Sequence, residues 1–321
     1  MNFKEAIFFI LRQKNKIFIT SAVLIISASV FILNSGVNKT VGKIQKPEFD
    51  FKIISPSLPE KMNFAGEKVP LENFEVAERI DRELLVNIYW EASTILGIKR
   101  ANRWFPVIEP ILKQNNIPDD FKYVALIESN LLNTVSPAGA VGFWQITPDV
   151  AKRYGLIVND QVDERYNVVK STQAASEYFQ DAYNKFKSWT LAAASYNLGI
   201  AGVIKQIERQ KEHNYYNLLL GDETSRYIGR ILAMKEILTH QEKYGYYIDK
   251  DQLYPELRTY QIKINSSVRN WADYAFEKGI NYNILKYYNP WLRDTSLTDK
   301  DGKVYYLTMP EKGTDEPVKD N

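Results

Sequence analysis

The 321-residue sequence contains no cysteine and only two histidines, His213 and His240. The lack of cysteine excludes disulfides, thiolate chemistry and a lipid anchor attached through a cysteine. With so few ligands of the kind that zinc prefers, we expect neither a metal nor any other cofactor. Basic and acidic residues nearly balance, with a net charge of +2, and no basic stripe interleaved with aromatic residues is present, so nucleic-acid binding is not expected.

Long apolar runs are also scarce, and the only one lies near the N-terminus. It extends from Ile17 to Leu33, is interrupted only by threonine and serine, and follows several basic residues. At 1.5 Å per residue this run is near the lower limit for crossing a bilayer, so it fits either an uncleaved anchor or a signal peptide. Because no small-x-small cleavage motif follows it, we favour a transmembrane anchor over residues 17–34, preceded by a cytoplasmic segment over residues 1–16.

The middle of the chain has the composition and periodicity of a folded helical domain. The sequence is 45% hydrophobic and 25% charged, as globular proteins are. Residues 35–75 are predicted to form a linker and an irregular lead-in. From Val76 onward, apolar residues recur every three or four positions, which predicts one long helix closed near Gly97 and a second over residues 101–114. Strand patterns are rare up to residue 245, so residues 76–245 are expected to be mainly helical.

The C-terminal part changes character. Residues 257–264 alternate between apolar and polar side chains like a strand, residues 268–278 and 282–288 are helical in pattern, and residues 303–308 fit a closing strand. The sequence therefore predicts a small module over residues 250–310 with the order β-α-α-β, followed by a polar tail over residues 311–321.

One acidic residue interrupts an apolar helical face. Between residues 121 and 132, the positions that share one side of a helix are apolar apart from Glu128. A carboxyl group placed there is partly removed from water, which favours its protonated form and makes Glu128 a candidate general acid near neutral pH. The alternative is a glutamate at a helix end that points to solvent.

Several short motifs follow Glu128 in a fixed order. They are Glu128-Ser129, Ser136-Pro137-Ala138-Gly139-Ala140, Gly142-Phe143-Trp144-Gln145, Ala194-Ser195-Tyr196-Asn197 with Gly199, and Glu223-Thr224 with Tyr227. Together they resemble the signature motifs of the lytic transglycosylase family (SLT, goose-lysozyme-like), and most of all its membrane-bound murein transglycosylase D type. The resemblance begins at about Pro59, and the β-α-α-β order of the tail resembles a LysM-type glycan-binding module. It implies a mainly α fold: a lysozyme-like helical catalytic domain with a small C-terminal α+β (LysM-like) module.

The resemblance also implies an activity. Members of the family cleave the β-1,4 bond between N-acetylmuramic acid and N-acetylglucosamine in peptidoglycan and leave 1,6-anhydromuramic ends. One glutamate, here Glu128, serves first as acid and then as base. The other glutamate of the motifs, Glu223, is expected to be structural and to hold the loop that presents Tyr227, so a single catalytic carboxyl group agrees with this route. The expected partners are peptidoglycan glycan strands, together with the membrane through the N-terminal segment. The expected location is the cell envelope: the inner membrane, with the catalytic domain in the periplasm.

The other motif residues have expected roles in substrate binding, each with a structural alternative. Ser129 either contacts substrate or bonds a backbone carbonyl one turn back. Gly142 allows a close approach to glycan or a sharp turn, and Phe143 and Trp144 either face the saccharide or belong to the core. The family more often has Leu-Met or Leu-Trp at these two positions, so Phe143-Trp144 is expected to alter the shape of the groove. Gln145 matches a substrate-contacting glutamine of the family.

The resemblance places the remaining matched residues beside the reacting centre. Tyr196 and Asn197 match the tyrosine-asparagine pair of the cleft, although by themselves they would be a core residue and a helix-end cap. Tyr227 matches a tyrosine whose hydroxyl would orient Glu128 or support developing charge.

Two other functions remain open at this point. A water-using muramidase would need a second carboxylate across the cleft from Glu128, supplied by Glu223, Asp163 or Asp181. A non-catalytic glycan-binding scaffold would keep the fold alone, but the intact set of Glu128, Gln145, Tyr196 and Tyr227 argues against it. The attached α+β module is either a glycan-binding unit or a structural cap without a ligand.

Overall fold

The computed structural model describes residues 55–298 and 302–312. The predicted cytoplasmic segment, the anchor over residues 17–34 and most of the polar tail lie outside these ranges. Within the described ranges, no helix is both long enough and apolar enough to span a bilayer.

Helices dominate the described residues up to Thr239, which confirms the predicted helical character. The helices are α1 Phe74–Tyr89, α2 Glu91–Gln114, α3 Lys122–Ser129, α4 Pro148–Arg153, α5 Val168–Phe186, α6 Trp189–Leu198, α7 Ile200–Gln210 and α8 Asp222–Thr239. Several begin where the sequence offers a capping side chain. The Thr147 hydroxyl accepts from the Val150 N–H at the start of α4, and the Ser188 hydroxyl accepts from the Leu191 N–H at the start of α6.

The predicted helix closing near Gly97 is wrong. The first helix ends before Trp90, and Gly97 lies inside the next helix, α2, which continues to Gln114. Gly97 is needed there for close packing rather than for termination, because a Cβ atom would lie 2.7 Å from Asn130 Oδ1. Asn130 ends α3, so this contact brings α2 against the end of the helix that carries Glu128.

The lead-in to the helical domain contains a short hairpin that attaches to two helices. Its strands, β1 Asn63–Phe64 and β2 Glu67–Lys68, pair antiparallel. The Glu67 carboxylate accepts hydrogen bonds from the Trp189 N–H at 2.6 Å and the Thr190 N–H at 2.9 Å. These are among the first N–H groups of α6, which have no partner inside the helix, so Glu67 caps α6 from a distant part of the chain.

The core of the helical domain is formed by side chains from most of its helices and from the segment between α3 and α4. The most deeply buried large side chains include Phe121, Trp144, Phe179 and Tyr227. Phe121 and Phe179 lie with ring centroids 4.4 Å apart, and Trp144 packs against Phe179 at 6.0 Å. The burial of Trp144 shows that the glycine-rich segment after α3 is anchored in this core.

The C-terminal module has the predicted β-α-α-β order. Its elements are β3 Thr259–Ile264, α9 Trp271–Glu277, α10 Tyr282–Tyr288 and β4 Tyr305–Pro310. The two strands pair antiparallel, with Thr259 opposite Pro310 and Ile264 opposite Tyr305. A second core fills this module, and Val162 of the helical domain belongs to it. Both parts lie in one compact unit that begins at Ser55.

Candidate active site

Glu128 lies on the last turn of α3, at the point where the helix leaves the core. The preceding residues Val124, Ala125 and Leu126 are buried, and the helix ends where Asn130 adopts a left-handed conformation with φ +52°. Glu128 itself is half-buried. The helix thus places one carboxyl group at the edge of an apolar interior, as the sequence pattern predicted.

Tyr227 of α8 holds the Glu128 carboxyl group. The Tyr227 hydroxyl donates to Glu128 Oε1 at 2.5 Å, and the tyrosine side chain is completely buried. One turn later on the same helix, Arg230 donates from Nη2 to the Ile127 carbonyl at 2.8 Å. Helix α8 therefore supplies both a hydrogen-bond donor and a cation beside the end of α3.

Burial sets the protonation behaviour of Glu128. Removal of the carboxyl group from water raises its pKa above the ordinary glutamate value, because the charged form loses hydration. The hydrogen bond from Tyr227 and the charge of Arg230 act in the opposite direction, and the charge of Glu223 adds to the increase. Because the net shift is upward, the protonated form persists to higher pH than for an exposed glutamate. Glu128 is thereby suited to donate a proton.

Removing the Tyr227 hydroxyl tests this balance. In Tyr227→Phe the charged form of Glu128 loses a donor, so its pKa should rise further and the alkaline limb of the pH–rate profile should move to higher pH. The turnover number should fall by about ten- to a hundredfold, as expected for one lost hydrogen bond to a charged group. The measurement is the rate of peptidoglycan cleavage as a function of pH.

Tyr216→Phe is the matched control for this experiment. The Tyr216 hydroxyl is also buried, but it has no hydrogen-bond partner among the described residues, so its removal should leave the pH–rate profile unchanged. An alkaline limb that stays in place or moves to lower pH in Tyr227→Phe would contradict the assigned role of Tyr227.

The Ser129 hydroxyl bonds backbone carbonyls, which is the structural role considered for it. Its hydroxyl lies 3.2 Å from the Ala125 carbonyl, one turn back, and 2.8 Å from the Phe143 carbonyl. The second bond joins the end of α3 to the segment between Asn130 and Thr147, hereafter the glycine loop. Ser129 thus fixes the glycine loop relative to Glu128.

The glycine loop is shaped by residues in unusual backbone conformations. Gly142 has φ +80°, and a Cβ atom at this position would lie 2.2 Å from the Arg165 carbonyl oxygen. Gln145 has φ +46°, and its side-chain amide donates to the carbonyls of Thr134 at 3.1 Å and Gly142 at 2.8 Å. Gly142 therefore permits a close approach to protein backbone, and the NH₂ group of Gln145 braces the loop from within.

The two aromatic residues of the loop have different environments. Trp144 is fully buried and donates from Nε1 to the Thr172 hydroxyl at 2.8 Å. The Phe143 ring is also buried and lies edge-on to Trp104, with centroids 5.0 Å apart. Both rings thus pack against protein, which corresponds to the core alternative considered for them.

Tyr196 and Asn197, at the end of α6, bind the neighbouring segments. The Tyr196 hydroxyl donates to the Trp144 carbonyl at 2.6 Å, and burial raises its pKa well above the ordinary tyrosine value, with a further increase from the charge of Glu128. Asn197 donates to Glu223 Oε1 at 2.9 Å and accepts from the Thr224 hydroxyl at 2.7 Å. The structure therefore brings α3, the glycine loop, α6 and the start of α8 together around Glu128.

The three carboxylates considered as a second catalytic group differ in their partners. Asp163 is buried in a bidentate ion pair with Arg165, at 2.9 and 2.7 Å. Asp181 accepts from the Tyr154 hydroxyl at 3.0 Å. Glu223 is exposed, bound to Asn197, and close enough for its charge to raise the Glu128 pKa. Of the three, Glu223 alone is a candidate partner for Glu128.

Sequence reasoning did not identify Arg230 or Arg165. Arg230 follows Tyr227 by three positions on α8, so helical spacing placed it on the same face and would have revealed it. Arg165 donates from Nη1 to the Gly139 carbonyl at 3.0 Å and to the Ile146 carbonyl at 3.3 Å, so it fixes both halves of the glycine loop. No local pattern marks this role of Arg165, because the loop carbonyls that it binds lie 26 and 19 residues away along the chain.

Two family models match separate parts of the chain. The transglycosylase SLT domain matches residues 105–219, which include Glu128, the glycine loop, Tyr196 and Asn197. Residues 105–219 are a transglycosylase SLT domain. The soluble lytic transglycosylase C-terminal LysM-like domain matches residues 260–313. Tyr227 lies beyond the matched range of the SLT domain, yet it makes the direct contact with Glu128.

Similar proteins extend the match beyond the SLT domain. Membrane-bound lytic murein transglycosylase D of Escherichia coli K12 is 28% identical over 262 residues, 79% of this chain and 56% of the relative. A putative tributyltin chloride resistance protein of an Alteromonas strain is 30% identical over 129 residues, 40% of this chain and 62% of the relative. The chain thus spans little more than half the length of these relatives. The 70 kDa soluble lytic transglycosylase of Escherichia coli aligns with a TM-score of 0.36 and 18% identity, over 46% of this chain and 26% of that structure.

Proposed function

We propose that this chain is a peptidoglycan lytic transglycosylase. The observation that carries the proposal is the environment of Glu128: a carboxyl group with a raised pKa, at the edge of an SLT-domain core, bound by the Tyr227 hydroxyl. The substrate would be the glycan strand of peptidoglycan, cleaved at the β-1,4 bond between N-acetylmuramic acid and N-acetylglucosamine. The murein-cleaving relative matched over 79% of this chain supports this substrate class.

The proposed mechanism uses one carboxyl group twice. Protonated Glu128 donates its proton to the glycosidic oxygen while the bond between that oxygen and C1 of the muramic sugar breaks. The resulting carboxylate then takes the proton of the C6 hydroxyl of the same sugar as that oxygen bonds to C1. Glu128 ends protonated, the product carries a 1,6-anhydro ring, and no water is consumed. Tyr227 and Arg230 support the intermediate carboxylate, since both favour the charged form of Glu128.

The mass of the released fragments tests this reaction. Muropeptides released from purified sacculi by the full chain should be lighter by one water than those released by a lysozyme, and they should lack a reducing end. Mass spectrometry combined with a reducing-end assay measures both properties. Reducing N-acetylmuramic ends as the main product would overturn the proposal.

Reducing N-acetylmuramic ends would favour a water-using muramidase. Glu223 supports this alternative, because it is near enough to influence Glu128 and its carboxylate is exposed to solvent that could supply a water. A non-catalytic scaffold has less support. The bond between Tyr227 and Glu128 and the raised pKa of Glu128 would serve no purpose in a protein that only binds glycan.

We further propose that the protein acts in the cell envelope. Peptidoglycan is found there, and the relative from Escherichia coli is named as membrane-bound. The anchor predicted over residues 17–34 would hold the SLT domain on the periplasmic side of the inner membrane. Substrate contacts by Gly142, Phe143, Trp144 and Gln145 remain part of the proposal, and for Trp144 they would be made through the backbone, because its ring is fully buried.

A further inference from the structure

A cavity of about 460 Å³ lies between the SLT domain and the LysM-like module. One side is formed by α2, by the residues that follow Glu128 and Ser129, and by the start of α5, through residues such as Trp104, Leu132 and Val168. The other side is formed by the connection after α8 and by the module, through residues such as Tyr254 and Tyr287. Glu128 and Tyr227 are not among the wall residues.

Aromatic side chains form much of the cavity wall. They include Trp104, Phe143, Tyr254, Tyr287 and Trp291. Sugar rings stack on such side chains, because their C–H faces are apolar while their hydroxyls point to the rim. Phe143 belongs to this wall, and its carbonyl accepts a hydrogen bond from Ser129, the residue next to Glu128. One hydrogen bond thus links the cavity wall to the segment that carries Glu128.

The polar part of the wall fits an N-acetylated saccharide. Asn133, Asn167 and Gln261 supply side-chain amides to the wall. The Asn167 side-chain carbonyl caps α5 and the Gln261 NH₂ group donates to Thr308, so the Asn167 NH₂ group, the Gln261 side-chain carbonyl and Asn133 are the groups offered to hydroxyl and acetamido groups. Among the charged residues of the wall, two arginines face one glutamate, Glu256. A slight positive excess suits a strand that carries acidic substituents.

Trp291 joins the cavity wall to the core of the module. Its side chain is 3% exposed, and its ring stacks on that of Tyr305 with the centroids 5.8 Å apart. The core of the module therefore holds this part of the wall in place.

We infer that this cavity is a second saccharide site, built jointly by the SLT domain and the LysM-like module, which binds a segment of glycan strand away from Glu128. The choice of glycan as ligand rests on the proposed function. The site requires both domains, because neither of them supplies the whole wall. It would hold a long strand while Glu128 cleaves elsewhere along it, and it would contribute through local concentration.

Fluorine NMR of the full chain in detergent, with fluorotryptophan in place of tryptophan, tests the inference. The chain contains 6 tryptophans, of which Trp104 and Trp291 line the cavity and Trp144 lies in the glycine loop beside Glu128. The probe is the β-1,4-linked N-acetylglucosamine tetramer, added to the Glu128→Gln chain so that nothing is cleaved. The resonances of Trp104 and Trp291 should shift along one saturation curve, separate from that of Trp144.

Tyr287→Ala and Tyr306→Ala form a matched pair for the same titration. Both tyrosines belong to the C-terminal module and are 55% exposed, but only Tyr287 lines the cavity. Tyr287→Ala should raise the dissociation constant read from Trp104 and Trp291 by about tenfold, the loss expected for one stacking contact. Tyr306→Ala should leave it unchanged, and neither substitution should alter the Trp144 curve.

Several results would overturn the inference. Trp104 and Trp291 resonances that stay in place while Trp144 saturates would do so, as would equal effects of the two tyrosine substitutions. A free stem peptide that shifts Trp104 and Trp291 where the tetramer does not would replace the saccharide by a peptide. The proposed reaction is judged separately: a chain that releases no anhydro product but shows the Trp104 and Trp291 shifts loses the reaction and keeps the cavity site.

Discussion

Glu128→Gln is expected to lower the rate of peptidoglycan cleavage by roughly 10²- to 10⁴-fold, the range typical for loss of a general acid and base. Glutamine keeps the shape of the side chain and can still accept from the Tyr227 hydroxyl, but it has no proton to transfer. The measurement is the initial rate of muropeptide release from sacculi. Glu223→Gln is the matched control, because it removes a nearby carboxylate that the proposed reaction does not use.

The control also separates the two proposed reactions. Glu223 raises the Glu128 pKa through its charge, so Glu223→Gln should lower that pKa and move the alkaline limb of the pH–rate profile to lower pH, with activity kept at acidic pH. Comparable losses in Glu128→Gln and Glu223→Gln would favour the water-using muramidase. Wild-type activity in Glu128→Gln would show that another group is the acid.

Unfolding of Glu128→Gln provides a check that the loss is chemical. The folded-state pKa of Glu128 lies above its unfolded value, so the folded protein holds this proton more tightly. Folding stability attributable to this group therefore falls as pH rises through the ordinary glutamate range of about 4.3 and is fully lost above the folded pKa. Glutamine has no charge to desolvate. The variant should consequently unfold at a temperature equal to or above that of the wild type at neutral pH, and the difference should vanish in acid.

The sequence contained enough information to predict the helical domain and the position of Glu128 on a helix with an apolar face. Local patterns determine helices, and the apolar face between residues 121 and 132 predicted a helix around Glu128 that the structure places at Lys122–Ser129. The order β-α-α-β of the tail was equally local and is confirmed. Such features depend on neighbours within a few residues, which a single sequence displays.

Contacts between distant segments could not be predicted in the same way. Gly97 was interpreted as a helix end, whereas its role depends on Asn130 lying against it. Ser129 bonds the Phe143 carbonyl, and Trp144 bonds Thr172, both of which require the glycine loop to fold back over the end of α3. The spacing of motif residues gives no direction for a side chain, so the roles of these residues depended on tertiary packing.

Gly142→Ala should be the most damaging small substitution in the glycine loop, with a loss of about 3 kcal/mol or more in the free energy of unfolding. The new methyl group would meet the Arg165 carbonyl oxygen at 2.2 Å, in a backbone conformation that alanine rarely adopts. Arg165 cannot move away easily, because its guanidinium group is bound to Asp163 and to the carbonyls of Gly139 and Ile146. The glycine loop must therefore shift instead.

Gly139→Ala separates the clash from the backbone strain in that prediction. Gly139 has φ +76°, close to the +80° of Gly142, but a Cβ atom there would have no neighbour within 4 Å. Only the strain remains, so Gly139→Ala should lose about 1–2 kcal/mol. Urea unfolding of both variants measures this difference in stability. The cleavage rate, measured at a temperature where both variants are folded, should fall much further for Gly142→Ala than for Gly139→Ala. The reason is that a shifted loop breaks the hydrogen bond between Ser129 and the Phe143 carbonyl beside Glu128. Equal losses of stability would show that the loop moves away from Arg165 without resistance, and that the contacts of Arg165 do not fix the loop at the active site.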